Sequence, residues 1–290
     1  MRYRPFGRGG AAISAISLRL DARRSRSQTV ALVYAALEHG INGLTIPAEP
    51  GVSAAVGEAL NHVGRGLGLV TLRLERDLHG FRPERVAEAA RTALEHGRFG
   101  WIDVLRLDEP HPGDLARETL QQLSVIARQH RAKHLGAGGA GSALDTPIDS
   151  RLLDVAALPF HLGSGWPERN RVKRAAGLNT VVVATDVLAP LQAGRAADAP
   201  VIARPRGLSG LFASKEVKQQ ASVYEFMDRA QGWTREQVCI AHALTEPALA
   251  TLELPIEDAD QLDAWAAAVD RDLPTGLAAQ IEMARFAEAS

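Results

Sequence analysis

The chain is short of cysteine, tyrosine, long apolar runs and net charge, and each scarcity removes a class of protein. Its one cysteine, Cys239, cannot build a disulfide framework or a cysteine-based zinc site. Flanked by Val238 and Ile240 in an apolar helical pattern, it reads as a buried structural thiol. No apolar run approaches the roughly 18 residues of a membrane span. The N-terminus, broken by Arg2, Arg4 and Arg8, lacks the apolar core of a signal peptide, so a cytoplasmic protein without membrane contact is expected. The 33 basic and 34 acidic residues are mixed along the sequence and leave a net charge of −1, with no basic footprint for nucleic acid.

What the chain does have is apolar material in a regular order. With 290 residues and 46% hydrophobic content it can bury a core for one (β/α)8 barrel or for two ordinary domains. Short runs rich in Val, Ile and Leu predict strands near 15–20, 41–46, 68–74, 101–107, 133–137, 180–185, 200–204 and 249–254. Helix-period segments at 28–38, 53–63, 82–96, 114–130, 167–176, 216–230, 234–243 and 258–269 interleave with them. The first carries Val30, Val33, Tyr34 and Leu37 on one face before Gly40 stops it. Alternating units of this kind close most economically into a single α/β domain over 1–290, a parallel TIM barrel with function on the loops after the strands. The stretch 141–178 fits that frame badly. It holds Pro147, Pro159, Gly163, Gly165 and Pro167 and a second strand-like run, so either 155–161 or 180–186 serves as the sixth strand.

The opening MRYRPFGRGGAAISAISLRL resembles the β-hairpin and first strand of many bacterial aldo-keto reductases. Further segments follow in that family's order: EHGINGLTIPAEPG (38–51), GEALNHVGRGLGLVTLRL (57–74), FGWIDVLRLDEPHP (99–112), KHLGAGG (133–139), VIARPRGLSGLFASK (201–215) and QVCIAHALTEPALATLELP (237–255). Together they span nearly the whole chain outside 141–178 and the C-terminal tail. The resemblance implies a (β/α)8 barrel opened by an N-terminal β-hairpin. Chemistry is a separate question, because fold does not fix it.

Members of that family reduce carbonyls with a nicotinamide cofactor. A tyrosine serves as general acid, a lysine lowers its pKa, an aspartate pairs with the lysine, and a histidine orients the substrate oxygen. Such chemistry needs a proton donor within hydrogen-bond reach of the carbonyl and fixed charge that tunes it. The resemblance puts Thr45 where the aspartate belongs, Pro50 at the tyrosine, Arg73 at the lysine and Asp108 at the histidine. Proline has no acidic proton, and arginine presents a permanently charged planar fork where lysine offers a point charge. Realignment cannot restore the tyrosine, since none occurs between Tyr34 and Tyr224. Arg73 and Asp108 would both face the barrel mouth, where they are expected to pair.

The cofactor positions are altered as well. The Ser-Asn that holds the nicotinamide carboxamide falls on Gly138 and Gly139, the glutamine of strand six on Ala157 or Val182, and a glycine near the end of strand one on Arg19. Where the family holds the adenosine phosphate with glycine and basic residues, this chain has Ile256, Glu257 and Asp258. Two carboxylates there oppose a 2′-phosphate by about 1 kcal/mol each or more at short range, which disfavours NADPH. Arg204, Gly207, Ser209, Gly210 and Lys215 survive as a loop able to cradle a pyrophosphate, leaving NAD(H) as the cofactor expected if any is bound.

Other candidates weigh less. Asp108, Glu109 and His111, with Glu49 and Glu75 nearby, invite a metal reading, but adjacent strand residues face opposite ways, so solvated loop residues are expected. His161 reads as a polar rim residue, and Ser164, between Gly163 and Gly165, has no partner constellation for a hydrolase. The segment from Trp166 to Arg171 is either a helix start led by Pro167 or an exposed partner-binding helix. The combined reading is a reductase-like pseudoenzyme that regulates through protein contacts and senses NAD(H). The resemblance extends to the KidO-type bacterial cell-division regulators, which implies a division-ring protein or a signalling kinase as partner. The alternative is a divergent oxidoreductase or other enzyme using Arg73, Asp108 and His161 on a small anionic substrate at the barrel mouth.

Overall fold

The computed structural model describes residues 1–7, 11–191, 227 and 230–288, with the backbone alone at 284–288. An antiparallel hairpin, β1 (Tyr3–Phe6) and β2 (Ala11–Ser14), opens the chain. Eight parallel strands then close into a barrel: β3 (Ile16–Arg19), β4 (Gly43–Pro47), β5 (Leu69–Glu75), β6 (Ile102–Asp108), β7 (Ala132–Gly138), β8 (Val155–Pro159), β9 (Val181–Thr185) and β10 (Thr251–Leu254). This is the (β/α)8 barrel with an N-terminal hairpin that the sequence predicts.

Both doubtful segments are strands: β8 is the sixth of the barrel and β9 the seventh. The predicted strand at 200–204 has no place in it, because β9 pairs directly with β10 through Val183–Thr251 and Ala184–Leu252. That segment lies outside the described residues, as does nearly all of the predicted helix 216–230. The prolines around β8 disguised a real strand.

The helices are α1 (Arg26–Glu38), α2 (Pro50–Val63), α3 (Pro83–Gly97), α4 (Arg117–Gln129), α5 (Asp145–Asp149), α6 (Trp166–Gly177), α7 (Arg235–Leu244), α8 (Ala259–Val269) and α9 (Leu277–Glu288). Capping boxes start α1 (Ser25 with Gln28) and α7 (Thr234 with Gln237), each cap contributing about 1 kcal/mol. Gly57 of α2 and Gly97 of α3 let those helices touch: a Cβ on Gly57 would lie 1.8 Å from the Gly97 carbonyl oxygen. The sequence pattern did not show α5 or α9. Among the described residues no helix is long and apolar enough to cross a membrane.

Strand alternation divides the barrel into two environments. Leu18, Leu44, Leu72, Leu105, Leu135, Val182 and Leu252 face outward into the main core beneath the helices. Burying each such side chain is worth about 1.5–3 kcal/mol. The inward face begins, at the strands' N-terminal end, with a smaller apolar cluster in which Phe6 and Ile13 of the hairpin pack on Val104, Val155 and Val183. Above it, toward the strands' C-terminal ends, the inward side chains become charged.

Candidate functional site

The register aligns Thr45 beside Arg19, Arg73 beside Arg106, and Glu75 beside Asp108, so these side chains share the inward face near the barrel mouth. Arg106, on β6, is almost fully buried (2% exposed) and is gripped from two sides. Its Nη1 and Nη2 donate to Glu253 Oε2 and Oε1 at 2.5 and 3.1 Å. Its Nε and Nη2 donate to Asp108 Oδ1 and Oδ2 at 2.6 and 3.1 Å. The Thr45 hydroxyl donates to Glu253 Oε2 at 2.8 Å. Burial opposes the charge on both Arg106 and Glu253. Their mutual attraction, with Asp108 adding to it, outweighs that cost, holding the arginine pKa above and the Glu253 pKa below the ordinary values.

Three of the four reductase positions therefore meet at one network. Arg73 reaches Asp108 as expected, with Nη1 3.5 Å from Oδ2, but the tight partner of Asp108 is Arg106. Pro50 does not join them: it is an exposed residue in the first turn of α2. Neither Arg106 nor Glu253 was singled out from the sequence. A charge on the inward parity between apolar neighbours, Arg106 in IDVLRLD and Glu253 in TLEL, was the signal available.

Gly138 owes its place to this network. A Cβ there would sit 2.9 Å from Asp108 Oδ1 and 3.1 Å from Ala157 Cβ, so no larger side chain fits beside the intact pair. Gly139 lines the mouth and donates its backbone N–H to the Ala157 carbonyl. Since β8 is the sixth strand, the resemblance puts the family's glutamine on Ala157 and not on Val182. Arg204, Gly207, Ser209, Gly210 and Lys215 lie outside the described residues. After β10, Asp258 caps α8 by accepting from the Gln261 N–H at 2.8 Å, and Arg24 donates to the Ile256 carbonyl at 3.2 Å. The start of α8 is thus capped by a carboxylate of its own, beside a cavity lined by Arg23 and Arg24 as well as Glu257.

Glu109 corrects the opposite-facing argument. Its backbone is left-handed (φ 51°), which breaks the alternation and leaves its side chain lining the same mouth as Asp108. Even so, no group of three or more metal-ligating side chains is gathered among the described residues. His161 does not belong to the mouth. It lines a separate cavity of about 270 Å³ with Ser164 and Glu168, its Nδ1 accepts the Gly163 N–H, and burial pushes its pKa down. Ser164 Oγ accepts from the His161 backbone N–H at 2.9 Å. Trp166 begins α6 and is 75% exposed, whereas Arg171 is tied to Asp145. Burial pushes the Cys239 thiol up to about 12, the inert state expected of a structural cysteine.

No protein-family model matches the chain, and neither does any curated protein. Solved structures do match. The apo form of the aldo-keto reductase AKR11C1 from Bacillus halodurans aligns with TM-score 0.74 and 16% identity, covering 98% of this chain and 96% of that one. Its holo form aligns with TM-score 0.76 at the same identity and the same coverage of both chains. The thermostable aldo-keto reductase Tm1743, in complex with the inhibitor epalrestat, aligns with TM-score 0.74 and 17% identity over 98% of this chain and all of that one. At such identities the likeness is one of fold: the chain is built as an aldo-keto reductase-type barrel.

Proposed function

We propose that this chain is a non-catalytic aldo-keto reductase-like protein whose barrel mouth holds a fixed ion-pair network in place of proton chemistry, and which regulates by contact with another protein. The observation that carries this reading is the double grip on Arg106 by Glu253 and Asp108, with the Thr45 hydroxyl already committed to Glu253. A guanidinium does not release its proton at any working pH. The described side chains lining the mouth include no tyrosine, histidine, lysine or cysteine. Trp166 and Leu78, 75% and 93% exposed on segments that follow barrel strands, are the apolar anchors available to a partner on that side.

A second reading, an enzyme acting on a small anionic substrate, draws on Arg73, whose buried Nε has no hydrogen-bond partner. It loses His161, which lies in a different cavity. Thermal unfolding with NADH, NADPH and NAD⁺ separates the arms of the proposal. A rise in melting temperature with NADH, without its consumption, fits a nucleotide-sensing regulator, and no shift with any nucleotide leaves a scaffold acting by contact alone. Capture of a tubulin-like division protein or a signalling kinase that weakens in Trp166→Ala would support the contact surface, and nucleotide-dependent turnover would overturn the proposal.

A further inference from the structure

Beyond the question of catalysis, the mouth carries charges that its own floor does not use. Arg73 is 11% exposed, yet its Nε is buried without a hydrogen-bond partner. Its Nη1 stands 3.2 Å from Glu75 and 3.5 Å from Asp108 as ion pairs only. Arg19, at the end of β3, comes no closer than 4.0 Å to Glu253. Facing the same cavity of about 380 Å³, at the ends of β6 and β9, are the carboxylates of Glu109 and Asp186. Neither is ion-paired among the described residues, although Glu109 accepts the Ala140 backbone N–H and Asp186 attracts His161. Both stand in the left-handed region, at φ 51° and 53°. Such a conformation is costly for a non-glycine residue and recurs at ligand sites. Burial, then repulsion from Asp108 and Asp186, holds the Glu109 carboxyl above its usual range, so a bound cation would relieve it.

The cavity is of the size that takes a small molecule. Its lining carries four arginines against five carboxylates. A bare anion would satisfy Arg73 but meet a net negative wall, and a bare cation would leave the arginine unsatisfied. We infer that the mouth binds a small amino-carboxylate zwitterion, its carboxylate on Arg73 and Arg19 and its ammonium between Glu109 and Asp186. This goes beyond the regulatory reading, since such a ligand binds whether or not any chemistry follows.

The test is calorimetric titration of the full chain with the common α-amino acids and with β-alanine and γ-aminobutyrate. Acetate and methylammonium serve as probes that carry one charge each. At least one zwitterion is expected to bind one to one, with each single-charge probe on the order of tenfold or more weaker. Arg73→Gln and Glu109→Gln should each lower that affinity by a similar factor. Arg19→Gln, at a side chain 38% exposed whose nearest approach to the buried network is 4.0 Å, should lower the affinity likewise while disturbing that network least. Binding of acetate as tight as the best amino acid, unchanged affinity in Glu109→Gln, or no amino acid bound at all would each overturn the inference.

Discussion

The two ends of the barrel both bury a carboxylate against arginine, and they are finished to different degrees. At the N-terminal end Asp103 accepts from Arg65 Nη2, Lys133 Nζ, Trp101 Nε1 and the Val70 N–H at 2.8 to 3.0 Å. Arg65 and Lys133 also lie over the Trp101 ring. That cluster is a staple that ties β5, β6 and β7 together. At the mouth the floor of Arg106, Glu253 and Asp108 is equally well bonded, but the rim above it leaves Arg73 Nε without a hydrogen-bond partner and Glu109 and Asp186 without an ion pair among the described residues. A saturated network holds structure, whereas an unsaturated one in a cavity is poised for a ligand.

The largest expected effect comes from breaking the floor. Glu253→Ala leaves Arg106 buried beside Asp108 alone and should destabilise the chain by about 3–5 kcal/mol in denaturant melts. Asp103→Ala should cost less, about 1.5–3 kcal/mol, because Lys133 is half exposed and can return to water. Equal losses at the two ends would remove the contrast between them. Gly138→Ala should cost about 1–3 kcal/mol by pushing Asp108 off Arg106, and a crystal structure of the variant should show that pair opened.

Acid sharpens the comparison. In the folded chain both Glu253 and Asp103 have depressed carboxyl pKa values, burial being outweighed by Arg106 in one and by Lys133, the Val70 N–H and Arg65 in the other. The unfolded chain takes up these protons in the ordinary range near pH 4 while the folded chain still resists, so stability is full above that range and falls as pH drops through it. Urea melts at descending pH should show the loss, and Glu253→Gln should flatten it.

Much of this architecture is legible in the sequence because burial and alternation act locally. Leu44, Leu72 and Leu105 mark their strands, and the outward core follows. The absence of any tyrosine between positions 34 and 224 is legible too. What escaped is long-range or local in an unexpected way. Arg106 and Glu253 are 147 residues apart and meet only when β10 closes the barrel. Glu109 reaches the mouth only because a left-handed backbone overrides the alternation that would have turned it away. The predicted strand at 200–204 is not one of the eight that close the barrel, since β9 pairs directly with β10.

The central claim is that a reductase barrel has kept its frame and exchanged its proton donor for a closed ion-pair floor. Steady-state oxidation of NADH and NADPH by the full chain, with a panel of aldehydes and ketones, tests it most directly. The account predicts a rate indistinguishable from that without protein at every protein concentration. Oxidation that rises in proportion to protein would contradict it.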